Sequence, residues 1–206
     1  MSPKTKQQFE LMKQETIDKI QNAALSLFST KGVAATNYTD IARAAGVSNG
    51  LLYHYYASKE VLFRQLVDEA LTQTGLAMQG YASISGSAQS RLQHLSEAIT
   101  GILGRDNRTA SYFLLLIQAA LGGQSIAGLT DDNLRAVAIP FDTLRSLIEA
   151  GQREGTVKQG DPWQLTILYW SAFQGMCIYK LTMKTFIPPN ATMLAGILLK
   201  GEPPEC

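Results

Sequence analysis

Apolar residues recur every three or four positions along nearly the whole chain, and no stretch makes a credible strand, so the pattern predicts helices throughout. Residues 1 to about 8 read as a polar tail. From about Phe9 to Lys31 the series Ile17, Ile20, Ala23, Ala24, Leu27 and Phe28 marks a first helix that stops at Gly32. Two short patterns follow, Tyr38–Ala45 and Asn49–Tyr56, separated by Gly46-Val47-Ser48. A fourth helix opens at Ser58-Lys59-Glu60 and carries Val61, Leu62, Leu66, Val67, Ala70 and Leu71 on one face to about Gln79. Gly80–Ser87 reads as a loop by composition.

Leu92, Leu95, Ile99, Ile102 and Leu103 give a fifth, amphipathic helix. Tyr112–Leu121 is apolar nearly all round, which predicts a buried sixth helix stopped by Gly122-Gly123. Leu134, Val137, Phe141, Leu144 and Ile148 mark a seventh, where Pro140 predicts a kink or a fresh start and Gly151 and Gly155 an end. Asp161-Pro162 is a cap followed by proline at the first helical position, and starts an eighth helix to about Lys184. After Pro188-Pro189-Asn190 a ninth helix spans Ala191–Lys200, closed by Gly201, with EPPEC as a tail. The expected fold is all-α, of about nine helices.

The pair of short helices has the layout of a helix-turn-helix, which places its second helix in the DNA major groove. Ile41, Ala42 and Ala45 form the apolar face of the first; the alanines allow close crossing, and Gly46 suits a left-handed helix end. Ser48 is a cap for the second, whose Leu52 and Tyr56 face inward. That leaves Asn49, Gly50, Leu51, Tyr53, His54 and Tyr55 outward, a surface without an acid that suits phosphates and base edges. Asn49 is suited to a bidentate contact with adenine, Leu51 to a thymine methyl, and Gly50 to close backbone approach. Ser48 and Asn49 open the helix, where free N–H groups attract phosphate. Asn37 is a cap or phosphate contact for the helix before it, Thr39 begins that helix, and Arg43 lies opposite Ile41, free for backbone or guanine.

Thr36–Lys59 resembles the DNA-binding signature of the tetracycline-repressor (TetR) family of bacterial transcription regulators. The resemblance rests on Ile41-Ala42, Ala45-Gly46-Val47-Ser48, Gly50, Leu52-Tyr53 and Ser58-Lys59-Glu60, with Ala24, Phe28 and Gly32 at the family's spacing before them. Tyr38, Leu51 and Tyr55 depart from its usual pattern, and these are where an operator preference of its own is expected. The resemblance implies a DNA-binding domain over residues 1–58 and a ligand-binding and dimerisation domain over 59–206. It implies a base or phosphate contact for Thr39 and strengthens Tyr53 and Lys59 as contacts. It implies a homodimer through helices eight and nine on a palindromic double-stranded operator, released by a small-molecule effector. Ser171, Ala172 and Gly175, with Leu168, Met176 and Tyr179 beside them, suit that interface, as do Met193, Leu194, Ile197 and Leu198. Tyr112, Phe113, Leu116, Phe141, Trp170, Phe173 and Cys177 are the candidate lining of an effector cavity, with Gln118 and Asp142 to orient an apolar or aromatic compound.

Composition changes this picture little. The net charge of +1 over 206 residues is neutral on average, but residues 1–60 hold seven Lys/Arg against five acids, a weak basic bias on the reading side. Two cysteines, Cys177 and Cys206, give neither a disulfide framework nor a zinc spacing and suit a reducing cytoplasm. The chain has no run long and apolar enough for a membrane span, and no secretory pattern at MSPKTKQQ. No cofactor is expected. An enzyme on a helical bundle is the alternative reading, with no metal-ligand cluster, phosphate loop or nucleophile-base pair to carry it. A helical interaction protein is the other, against which the outward tyrosines and Lys59 weigh.

Overall fold

The computed structural model describes residues 6–121 and 131–201, and among them nine helices follow one another without a strand. The Gly122-Gly123 stop, most of the N-terminal tail, Cys206 and the rest of the EPPEC tail lie outside the described residues. Helix α1 (Lys6–Lys31) begins inside the expected tail; it buries Ile20, Ala24, Leu25 and Phe28 and ends at Gly32, whose φ of 82° needs no Cβ. Helix α2 (Tyr38–Ala45) closes on Gly46 at φ 67°, with the Val47 N–H returning to the Ala42 carbonyl at 3.0 Å. Helix α3 (Asn49–Tyr55) is capped by Ser48, whose Oγ accepts the Leu51 N–H at 3.1 Å.

Helix α4 (Lys59–Ser83) runs one turn past its expected end, through Gly80, where a side chain would meet nothing. Helix α5 (Ala88–Arg105) is capped by Ser87. Helix α6 (Arg108–Leu121) starts four residues early because Asp106 accepts the Arg108 N–H at 2.9 Å. Helix α7 (Asp131–Arg153) passes through Pro140 without a break. Pro140 itself is buried there. Helix α8 (Pro162–Thr182) starts as expected, with Asp161 accepting the Gln164 N–H at 2.9 Å. Helix α9 is only Ala191–Ala195, not Ala191–Lys200: the chain turns at Gly196 and Leu199 pairs antiparallel with Val157. The Lys158 N–H to Leu198 carbonyl bond (2.9 Å) and the Lys200 N–H to Thr156 carbonyl bond (3.0 Å) outcompete the helix there.

The described residues pack as two compact units. The first draws, among the described residues, on 6–69 and 114–121. Its core joins Phe28, Ile41, Leu52, Leu62, Phe63 and Leu66, with Phe28 and Phe63 edge to face at 5.7 Å. Gln118, expected to orient a ligand, instead donates from Nε2 to the Phe28 carbonyl at 2.8 Å, closing the last turn of α1. The second unit draws, among the described residues, on 70–113 and 131–201. Its core is built from α5, α7, α8 and α9, and its buried Tyr169 hydroxyl pairs with Ser96 Oγ at 2.8 Å. No helix among the described residues is long and apolar enough to cross a membrane, and no cluster there could hold a metal ion.

Candidate nucleic-acid interface

Burial divides α2 and α3 cleanly. Ile41, Ala42, Leu52 and Tyr56 are inside, whereas Asn37, Thr39, Arg43, Ser48, Asn49, Gly50, Leu51, Tyr53 and His54 are exposed and Tyr55 is half-buried. The residues expected outward on α3 are therefore all at the surface, with Tyr55 partly covered. Asn37 occupies the cap position of α2 but makes no side-chain cap bond, so capping does not account for it. Arg43 stands out into solvent with Asp40 at 3.5 Å, an exposed pair that holds it loosely. At Gly50 a Cβ would meet nothing within 4 Å and φ is not positive, so neither folding nor packing requires glycine there. The bare backbone it leaves at the start of α3 suits close approach by a ligand. His54 lies edge-on to Tyr55 at 5.3 Å.

Three tyrosines hold the reading helix in place. The Tyr38 hydroxyl donates to the Tyr56 carbonyl and lies 3.5 Å from that of Leu52, so the first residue of α2 closes the last turn of α3. Its ring packs on Tyr53 at 4.5 Å. Burial, then the neighbouring Tyr53, pushes the Tyr38 hydroxyl up to about 12, so it remains a donor well into alkaline pH. Tyr38, one of the three positions where an operator preference is expected, thus turns its hydroxyl inward and lays its ring against Tyr53. Burial likewise raises Tyr56, against a hydrogen bond from Gln21.

Lys59 also has an internal task. Its Nζ donates to the carbonyls of Val33 at 2.8 Å, Thr36 at 3.0 Å and Ala34 at 3.5 Å, which matches its three protons to the loop between α1 and α2. The Thr36 hydroxyl completes the loop with a bond to the Gly32 carbonyl at 2.7 Å. This pairing spans more than twenty residues of sequence and leaves no signal in local spacing.

In the second unit Phe113, Phe141, Trp170 and Phe173 come together from three helices. Phe113 meets Phe173 at 4.8 Å, Trp170 meets Phe173 at 5.6 Å and Phe141 meets Trp170 at 6.0 Å. Trp163 joins Phe141 at 5.9 Å and Tyr169 joins Trp170 at 6.1 Å, two rings the sequence pattern did not single out. Cys177 sits in the same core, its thiol pushed up to about 12 by burial. Tyr112 pairs instead with Arg108, which donates to its hydroxyl at 2.8 Å, and Leu116 belongs to the first unit. Asp142 is exposed and paired with Arg145 at 3.3 Å.

An open groove of about 720 Å³ runs between α8 and α9, floored by Ser171, Ala172 and Gly175 and walled by Tyr179, Ile187 and Met193. Leu168, Tyr179 and Met193 are exposed along this side. Met176 and Leu194 also line the groove while being mostly covered within the unit, and Leu198 is buried.

Residues 20–66 match the family described as bacterial regulatory proteins, tetR family. The HTH-type transcriptional regulator AcrR of Shigella flexneri is 35% identical over 96 residues, 46% of this chain and 43% of that protein. The HTH-type transcriptional repressor KstR2 of Mycolicibacterium smegmatis is 36% identical over 80 residues, 38% of this chain and 37% of its own. The chain thus spans less than half the length of these curated relatives. The likeness in fold reaches further: the crystal structure of the MbdR regulator from Azoarcus sp. CIB superposes with a TM-score of 0.72 at 24% identity, covering 91% of this chain and 98% of that one.

Proposed function

We propose that this chain, whose residues 20–66 match the TetR family of bacterial regulatory proteins, is a repressor that binds a palindromic operator as a dimer and leaves it when a small apolar or aromatic effector arrives. The observation that carries the DNA reading is the groove face itself: Asn49, Gly50, Leu51, Tyr53 and His54 are exposed together on α3, without an acid, over a core that fixes the helix. Asn37, Thr39, Arg43 and Ser48 flank it and Tyr55 borders it, while Lys59 supports the domain from within. Such a protein acts by binding rather than by catalysis, and works where the chromosome is, in the cytoplasm.

A three-helix reader makes few contacts alone, so two copies on half-sites about 34 to 36 Å apart are the natural arrangement. The open apolar groove between α8 and α9 supports dimerisation there, since Leu168, Tyr179 and Met193 leave water only on meeting a partner. DNA reading is assigned to residues 1–58, effector binding and dimerisation to 59–206. Helix α4 starts at Lys59 and contributes to both compact units, which makes it the element an effector would bias. An effector favouring a dimer with misplaced readers weakens operator binding by the same factor that the operator weakens its own binding.

Selection from random duplex DNA tests the first part: a palindrome bound in a salt-dependent way is expected, and recovery of no preferred sequence would overturn it. Light scattering tests the dimer, with Met193→Glu and Tyr179→Glu expected to yield monomers.

A further inference from the structure

The indole N–H of Trp170 is a buried donor with no hydrogen-bond partner among the described residues. Trp170 is 7% exposed, and its neighbour Tyr169, as deeply buried, has its hydroxyl satisfied by Ser96. The same core therefore pairs one polar tip and leaves the adjacent one open. A buried Trp N–H usually finds an acceptor, and leaving one unmade is costly. Around the indole stand rings: Phe173 at 5.6 Å, Phe141 at 6.0 Å and Tyr169 at 6.1 Å, with Phe113 and Trp163 beyond. Phe113 and Phe141 are only half-buried and Trp163 is 47% exposed, so the ring cluster extends from the buried indole to the surface. An apolar wall with one converging polar group is the usual composition of a small-molecule site.

We propose that Trp170 is the polar recognition group of the effector site, and that the effector is an aromatic or alicyclic compound carrying an uncharged oxygen acceptor, a ketone, ester or amide carbonyl, which accepts the indole N–H. The choice of a neutral acceptor over a carboxylate follows from charge. The rings around the indole, Phe113, Phe141, Trp163, Tyr169 and Phe173, bring no cation with them, so a carboxylate drawn among them would find no partner charge; Arg91, whose Nε is buried, lines a groove with Asp142, Thr143, Ser146 and Leu147 instead. The inference rests on the effector-responsive reading above and adds the chemical class.

The test uses the full chain and three probes: acetophenone, ethylbenzene, which replaces the carbonyl by a methylene, and benzoate. Affinities come from ligand-observed NMR or calorimetry on the unaltered protein and on Trp170→Phe. Ethylbenzene sheds water more easily, so the readout is the ketone-to-hydrocarbon affinity ratio. That ratio is expected to fall about tenfold in Trp170→Phe, equivalent to about 1.4 kcal/mol. In the unaltered protein the indole N–H resonance of Trp170, assigned with Trp163→Phe, shifts downfield with acetophenone and less with ethylbenzene. An unchanged ratio, a resonance indifferent to the ketone, or tighter binding of benzoate would overturn the acceptor assignment and leave a site in place. Binding of none of the three would overturn the site and the assignment together.

Discussion

Tyr38, the first residue of α2, donates its hydroxyl to the carbonyl of Tyr56, the residue that ends α3, while its ring lies 4.5 Å from that of Tyr53 on the groove face. One side chain thus both closes the reading helix and backs a residue assigned to DNA.

The two functions separate by substitution. Tyr38→Phe keeps the ring and loses the hydroxyl bond; it is expected to lower stability by about 1 kcal/mol without changing base preference. Tyr38→Ala also removes the support from Tyr53, and is expected to relax selectivity at the base pair that Tyr53→Phe affects. Thermal melts and site selection read the two outcomes. Altered base preference in Tyr38→Phe would mean that the hydroxyl, not the ring, sets the position of Tyr53.

What the sequence disclosed and what it hid divide by range. Gly46, Ser48 and the Asp161-Pro162 pair act on residues within four positions, so their backbone tasks were readable and stand in the structure. The same holds for Leu52 and Tyr56, whose spacing alone turns them inward. Tyr38, Lys59 and Gln118 instead spend their polar ends on carbonyls 18, 23 to 26 and 90 residues away, partners no local pattern specifies. At Pro140 the sequence left a kink or a fresh start open, and the structure excludes the fresh start, since α7 continues through it. The end of α9 was lost to a backbone pairing with Val157 some forty residues upstream. In the second unit the aromatic spacing on α8 gave Trp170 and Phe173, but only packing adds Trp163 through Phe141.

Lys59→Ala is expected to act on folding. Removing an ammonium that serves the Val33 and Thr36 carbonyls leaves half-buried acceptors without their donor and should cost about 1.5 to 3 kcal/mol. The salt dependence of DNA binding, measured at a temperature where the variant is folded, is expected to keep its slope. A slope lower by about one would place Lys59 on a phosphate after all.

Gly151→Ala tests the packing of the second unit. An added Cβ would come within 2.3 Å of Val157 Cγ2 and 3.1 Å of its Cβ, and valine has little freedom to yield. Gly151 sits in α7, where alanine is otherwise the better helix former, so a loss of stability isolates the clash. A destabilisation of about 1 to 3 kcal/mol is expected, with Val157→Ala in the same chain less harmful than the two changes summed.

Alkaline pH is expected to destabilise the second unit in a defined window. Burial raises Cys177 from 9.0 and Tyr169 from 10.0, each to about 12, so the folded chain retains protons that the unfolded chain releases. Their contribution is complete below about pH 9 and is lost as pH rises toward 12, by up to about 1.4 kcal/mol per pH unit for each group. Cys177→Ala should remove the earliest part of that fall, between pH 9 and 10. Denaturant midpoints across pH 8 to 11 provide the check.

The groove face itself makes the sharpest demand. Asn49 and Tyr53 are exposed on α3 and assigned to base edges, whereas Arg43 on α2, held only loosely by Asp40, is better placed to serve the backbone. Asn49→Ala and Tyr53→Phe should each alter preference at one position by about 1 to 3 kcal/mol and leave the salt slope alone. Arg43→Ala should weaken all duplexes alike and lower the slope by about one. Gly50→Ala adds an independent arm, because a methyl there meets nothing in the free protein: folding should be unharmed, or gain up to about 1 kcal/mol from the better helix former, while operator binding falls. Full operator affinity in Gly50→Ala would show that the backbone at the start of α3 does not approach the duplex, and would remove that end of the helix from the interface.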